Sequence, residues 1–153
     1  MPNKINEMIN LKTIIAIIIA MTIIHIFAIY SGLYTGDVWI DMPLHFAGGF
    51  LAGMMGYWAM GFRAIGEKIG ELNLLATSFV LISVSLFGSF LWEIFEFALL
   101  NCCESWARAG RLVSPTVPDL LSDMVLGVTG GILFVVVLVF GAAGRPKFDE
   151  QEH

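Results

Sequence analysis

The chain has 153 residues, of which 58% are hydrophobic and only 14% are charged. Soluble domains are about half apolar and a quarter charged, so this composition predicts a membrane protein with lipid as its surroundings. The net charge of -5 argues against a nucleic-acid partner, because no basic patch is available to neutralise phosphates.

Four apolar stretches follow one another along the chain, at about 11–30, 43–62, 74–100 and 120–140. Each is near or above the ~20 residues that a helix needs to cross ~30 Å of hydrocarbon. The first exceeds the ~7–15 apolar residues of a cleavable signal, so we expect it to be retained. The sequence therefore predicts an all-α fold: a multi-pass, four-helix transmembrane bundle forming a single integral membrane domain over 1–153.

The basic residues predict the orientation of this bundle. Six lie before the first stretch or at its start, between the second and third, or after the fourth: Lys4, Lys12, Arg63, Lys68, Arg145 and Lys147. Only Arg108 and Arg111 lie on the other side. Because positive residues remain in the cytoplasm, both termini are predicted to be cytoplasmic, in the cell (inner) membrane.

Three pairs of ionisable residues at helical spacing are the candidate functional residues. The pairs are Asp41 with His45, Glu93 with Glu96, and Asp119 with Asp123. In the predicted topology all of them lie at the extracytoplasmic end of the bundle. Ionisable groups at membrane depth are energetically costly and usually functional, so six at one level predict a site.

Glu93 and Glu96 share one face of the third helix, because they are three residues apart. They lie roughly 29 and 33 Å from its start at Leu74, near the outer edge of the hydrocarbon. The helix dipole disfavours negative charge at this end. These carboxylates therefore need a cation or a shared proton, unless they simply reach the solvated headgroups.

Asp41 and Asp119 have a simpler alternative role, because acidic residues stabilise helix starts through capping and the dipole. That alternative is weaker for His45 and Asp123, which lie one turn deeper and should face the bundle interior. His25, in the outer half of the first helix, is expected to form a hydrogen bond between helices.

Carboxylates combined with one imidazole suit Mg, Mn, Ca or, with fewer ligands, zinc. A divalent ion would neutralise carboxylates that otherwise repel one another in a low dielectric. We therefore predict a divalent metal ion bound by residues of the set Asp41, His45, Glu93, Glu96, Asp119 and Asp123.

No HExxH, GxSxG or P-loop motif is present. The adjacent Cys102 and Cys103 have neither redox nor zinc spacing, so we interpret them as small side chains near a helix end.

Glycines are concentrated in the second and fourth stretches, including Gly49-x3-Gly53 and Gly127-x3-Gly131. This spacing allows close helix packing in lipid, within one chain or, as the weaker alternative, in a homo-oligomer. Packing of the second helix on the fourth would bring Asp41 and His45 near Asp119 and Asp123.

The segments DMPLHFAGG, WEIFEF and PDLLSDMVLGVTGG, in this order, resemble the small polytopic YjdF-like membrane proteins and, more distantly, the VanZ-like group. The resemblance covers roughly 41–131. It implies family positions at Asp41, His45, Trp92, Glu93, Glu96, Asp119 and Asp123. The activity of these families is poorly defined, so the resemblance strengthens the site more than the function.

Three functional hypotheses follow. In a membrane enzyme, Glu93, Glu96 and Asp123 would serve catalysis with the metal and His45, on a lipid or lipid-linked substrate. Asp41 would orient His45, and Arg108 and Arg111 would meet a phosphate headgroup. In a proton- or cation-coupled transporter the same carboxylates would exchange ions; in a structural membrane subunit the metal would only stabilise the fold. The inner halves of the helices carry few polar residues, which favours a one-sided site.

The predicted topology can be tested with reporter fusions. Fusions after Gly36 and Ser114 should report an extracytoplasmic location, and a fusion after Glu67 a cytoplasmic one. The opposite signals would show that the predicted orientation is inverted. A mixed pattern would show that the three pairs do not lie at the same membrane face.

Overall fold

A computed structural model describes residues 9–31, 33, 41–61, 73–105 and 116–143. These ranges contain four α-helices and no strand, which confirms the predicted all-α, four-helix fold. The helices are α1 (Leu11–Tyr30), α2 (Asp41–Met60), α3 (Leu74–Cys102) and α4 (Val117–Ala143). Arg108, Arg111 and the other basic residues, except Lys12, lie outside the described ranges, so the cytoplasmic location of both termini stays a prediction.

The observed helix starts explain where the predicted boundaries differ. α1 occupies the predicted range, and α3 starts as predicted at Leu74, where Asn73 accepts a hydrogen bond from the Ala76 N–H at 2.9 Å. By contrast, α2 and α4 begin two and three residues before the predicted 43 and 120. Their first turns include Asp41 and Asp119, whose negative charge the helix dipole stabilises, so the helices extend beyond the apolar stretches.

Three of the described helices are long and apolar enough to cross a membrane: Leu11–Tyr30, Leu74–Cys102 and Val117–Gly141. α2 is not among them, although it has 20 residues. It packs against each of the other three helices, most extensively against α4, whereas α1 packs mainly on α2. A helix enclosed in this way needs less apolar surface towards lipid, which accounts for the glycine-rich sequence of α2.

The buried core and the exposed surface are both apolar. Phe134 of α4 is buried and meets the ring of Phe50 edge-to-face, with the centroids 5.3 Å apart. On the outside, Phe27, Phe79 and Phe140 are 62%, 73% and 72% exposed. Apolar exposure on this scale is unfavourable in water and favourable in hydrocarbon, so the surface agrees with a membrane location.

The closest helix approach joins α2 to α4 through glycines. A Cβ atom on Gly49 would overlap the backbone of Gly127, and one on Gly130 would overlap the backbone of Phe46. The glycines therefore pack within the chain, as the Gly-x3-Gly spacing predicts. A homo-oligomer through glycine-rich faces stays a prediction.

A buried serine joins α3 to the same crossing. The Ser85 hydroxyl lies 2.9 Å from the Gly49 carbonyl oxygen of α2 and 3.1 Å from the Leu81 carbonyl oxygen of its own helix. It also fills the space that a Cβ atom on Gly131 would need. Three helices thus meet at one level, with small residues at each contact.

Substitution of Gly49 tests this crossing. Gly49→Ala places a methyl group against the Gly127 backbone, which cannot rotate away, so we expect a loss of about 1–3 kcal/mol or more in the free energy of unfolding. The matched control is Gly48→Ala, because a Cβ there has only the Met21 terminal methyl within reach, at 4.0 Å. Thermal unfolding in detergent should distinguish the two variants. Equal stability would contradict the close approach of α2 and α4.

Candidate functional site

His45 is the centre of the candidate site. Its side chain is 5% exposed and is contacted by carboxylates from three helices. Its Nε2 atom lies 3.5 Å from Asp41 Oδ2 and 3.7 Å from Asp123 Oδ2. On the other edge of the ring, Nδ1 lies 3.9 Å from Glu93 Oε1.

The helix crossing places these side chains. His45 and Asp123 each lie four residues before a crossing glycine, Gly49 on α2 and Gly127 on α4. On α3, the Ser89 hydroxyl occupies the space next to Gly127 where a Cβ would be, and Glu93 follows four residues later. Residues four apart share a helix face, so each functional side chain lies one turn from the crossing and faces the same axis.

Glu93 has a buried carboxylate oxygen that lacks a hydrogen-bond partner. Its side chain is 10% exposed, and among the described residues none donates a hydrogen bond to Oε1, whose nearest ring nitrogen, His45 Nδ1, is 3.9 Å away. A buried acceptor without a partner loses the energy of its hydration, by roughly 1–3 kcal/mol and more when it is charged. This atom is the unsatisfied feature of the site.

Glu96, on the next turn of α3, is held by an aromatic residue. The Trp92 indole Nε1–H donates a hydrogen bond to Glu96 Oε1 at 2.9 Å. The Trp92 ring also packs on Phe95, with 5.4 Å between centroids. The two contacts fix the direction of the Glu96 carboxylate; the spacing of four residues is the sequence signal for this pair.

Among the described residues, two overlapping groups could each hold a metal ion. One comprises Asp41, His45 and Asp123, and the other His45, Glu93 and Glu96. Within each group the potential ligand atoms all lie within 4.8 Å of one another. The structure therefore brings together five of the six predicted residues, around one imidazole.

The sixth predicted residue, Asp119, belongs to neither group. It lies one turn before Asp123 and is partly buried, and its backbone carbonyl accepts a hydrogen bond from the Ser122 hydroxyl at 2.7 Å. Cys102 and Cys103 are exposed free thiols and also belong to neither group.

A cavity of about 380 Å³ adjoins the site between α1, α2 and α3. Asp41, His45, His25 and Trp92 line it at one end, and the remaining lining is mainly apolar. The sequence does not predict this cavity, because its walls come from three helices whose rotations a hydrophobic pattern does not specify.

The model of one protein family matches the chain over residues 4–143, and the family is described as a predicted membrane protein, DUF2238. The chain belongs to this family, which agrees with its three apolar helices of membrane-spanning length. No curated protein and no solved structure matches the chain.

Proposed function

We propose that this member of the DUF2238 membrane proteins binds one divalent metal ion beside His45. We further propose that it uses the ion as a membrane enzyme on a lipid or lipid-linked substrate. The observation that carries the proposal is the buried Glu93 Oε1, which accepts no hydrogen bond from the described residues. A cation is the partner that this atom lacks, because an ion would replace its lost hydration and neutralise the nearby carboxylates.

The separations between the groups support a shared ion. Ligand atoms bound to one ion at ~2.0–2.2 Å lie roughly 3 to 4 Å apart. The contact between His45 Nδ1 and Glu93 Oε1 measures 3.9 Å, and the potential ligand atoms within each of the two groups lie within 4.8 Å of one another. A separation of 3.9 Å is long for a hydrogen bond, which has a mode near ~2.9 Å, and fits two groups that flank a cation.

Of the two groups, we assign the ion to the one on the Nδ1 side: His45, Glu93 and Glu96. This choice gives Glu93 Oε1 a partner. It also leaves the His45 Nε2–H to point at Asp41, at the shortest of the three distances. Metal-binding histidines usually donate their other N–H to a carboxylate, and Asp41 would take that role. Trp92 would orient Glu96 in the same way.

Three protein ligands leave coordination positions for water and substrate, as in catalytic metal sites. The ion would polarise a phosphoryl or acyl group, or activate a water molecule, when a lipid headgroup reaches it. Asp123 is not a ligand in this arrangement, and it lies 3.7 Å from His45 Nε2. We propose that its carboxylate would accept the proton that the activated water molecule loses as it attacks the substrate.

A proton- or cation-coupled transporter is the competing function. Such a protein needs polar groups along a path through the membrane. The cavity next to His45 becomes apolar away from the site, where Ile18, Leu51 and Met55 line it. An apolar wall suits a hydrocarbon chain better than an ion, so this observation favours the enzyme.

The location of the proposed site follows from the predicted topology: the extracytoplasmic face of the inner cell membrane, in a multi-pass chain. The segment resemblance to YjdF-like and VanZ-like proteins supports the same residues. In our proposal Asp119 is an outer carboxylate one turn from Asp123, ready to contact the ion through water.

Metal binding can be measured by calorimetry on the purified protein in detergent. We expect one Mn²⁺ or Zn²⁺ per chain, with release of protons, because protons compete with the ion for carboxylates and imidazole. Affinity should therefore fall as the pH is lowered. Glu93→Gln should weaken binding about tenfold or more and reduce the number of protons released.

The matched control for Glu93→Gln is Glu104→Gln, which removes an exposed carboxylate at the same end of α3. Binding that persists unchanged in Glu93→Gln would exclude Glu93 as a ligand. Absence of binding in the unmodified protein would contradict the metal proposal and favour the proton-coupled alternative.

Substitution of Trp92 tests whether its hydrogen bond orients the proposed metal ligand Glu96. Trp92→Phe keeps an aromatic ring but removes the N–H that Glu96 accepts, so metal affinity should fall about tenfold. Trp58→Phe, at a tryptophan that packs against the core, is the control. Equal affinities in the two variants would show that Glu96 needs no orientation by Trp92.

Catalysis has a separate test in Asp123→Asn. With phosphate-headed lipids in mixed micelles, ³¹P NMR should show metal-dependent turnover by the unmodified protein. Asp123→Asn should lose that turnover and keep its metal affinity. If this variant instead loses the metal, the ion binds on the Nε2 side with Asp41 and Asp123; metal binding without turnover would contradict the enzymatic function.

A further inference from the structure

The cavity beside His45 has a polar end and an apolar end. At the polar end are His25, Asp41, His45 and Trp92, and at the other are Ile18 and Met55. The order is the same on two of the lining helices: on α1 the lining residues change from His25 to the apolar Ile18, and on α2 from Asp41 to the apolar Met55. The cavity is therefore suited to an amphiphilic ligand that has a polar head and an apolar chain.

Its dimensions match one hydrocarbon chain. Asp41 and Met55 are separated by about 21 Å along α2, compared with ~15 Å for half of the hydrocarbon thickness. The volume of about 380 Å³ lies within the range of roughly 300–1,000 Å³ that is typical of small-molecule pockets. A cavity of this length and volume suits a single hydrocarbon chain.

The hydrocarbon chain can come from the membrane lipid that surrounds the protein. The cavity is partly open and is bounded by α1 and α3, both apolar enough to span a membrane. On the same two helices, Ile15, Ile19 and Phe87 are exposed large apolar side chains, as expected of helices that face lipid. Burial of each methylene group contributes about 0.8 kcal/mol, but a chain already in lipid gains little from apolar contact alone. Selective occupancy therefore depends on the polar end, where the headgroup meets the site.

We propose that this cavity binds one acyl chain of a phospholipid and thereby directs the lipid phosphate to His45 and the proposed metal ion. The identity of the headgroup rests on the proposed function. The phosphate is the group whose charge complements a divalent ion, whereas a neutral headgroup has no corresponding partner there. The binding of the chain requires only the cavity.

The test is photo-cross-linking with a single-chain lysophosphatidic acid that carries a diazirine near the end of its chain. In purified protein, mass spectrometry of peptides should find the label at the apolar end, on Ile18 or Met55. An excess of unlabelled lipid should remove this label. Label on Phe79 and Phe140, which are exposed to bulk lipid, should persist.

Gly48→Leu should block the cavity without disturbing the helix crossing, because a side chain there points into open space towards Met21. We expect at least a fivefold loss of the competable label. Gly48→Ala is the matched control and should keep most of it. Met55→Trp, which narrows the far end, is a second variant that should give the same loss of competable label on Ile18 if Gly48→Leu fails to fold.

Label that no excess of lipid removes, or that is equal in Gly48→Leu and Gly48→Ala, would overturn the proposal. Equal competition by an alkyl maltoside of the same chain length would show that the site does not select a phosphate headgroup. Competable label that survives a chelator and Glu93→Gln supports the chain site even if calorimetry finds no metal. Metal binding without competable label would contradict the acyl-chain site but not the proposed metal site.

Discussion

The close approach of α2 and α4 at Gly49 and Gly127 is the constraint on which the rest of the structure depends. The two backbones meet where neither residue has a side chain. In lipid, helix association gains little from hydrophobic burial and depends on close packing and on hydrogen bonds between helices. The glycines provide the first, and the Ser85 hydroxyl provides the second by reaching the Gly49 carbonyl oxygen.

The functional geometry is a consequence of that crossing. His45, Asp123 and Glu93 come together from three helices. Each lies one helical turn from the crossing, towards the same end of the bundle. A shift of α2 along α4 by one turn would move His45 by about 5.4 Å and separate it from Asp123. The small residues at the crossing thus position the functional side chains, although none of the small residues belongs to the site.

Much of this arrangement is readable from the sequence. Apolar stretches of about 20 residues or more predicted all four helices. Helical spacing also paired Asp41 with His45 and Glu93 with Glu96, and Gly-x3-Gly predicted the packing that brings α2 to α4. The sequence could not specify that one imidazole would separate the carboxylates into two groups, because that depends on helix rotation and on side-chain rotamers. The spacing of Trp92 and Glu96 is compatible with their hydrogen bond but does not specify it, and nothing in the sequence indicates the cavity beside His45.

The central claim is that a divalent ion binds to His45 through a ring nitrogen. Pulsed electron paramagnetic resonance of Mn²⁺ bound to protein labelled with ¹⁵N-histidine tests it most directly. We expect hyperfine coupling from one directly bound histidine nitrogen, which should be retained in His25→Gln and lost in His45→Gln. Mn²⁺ coupled only to water protons, or a nitrogen coupling that survives His45→Gln, would contradict it.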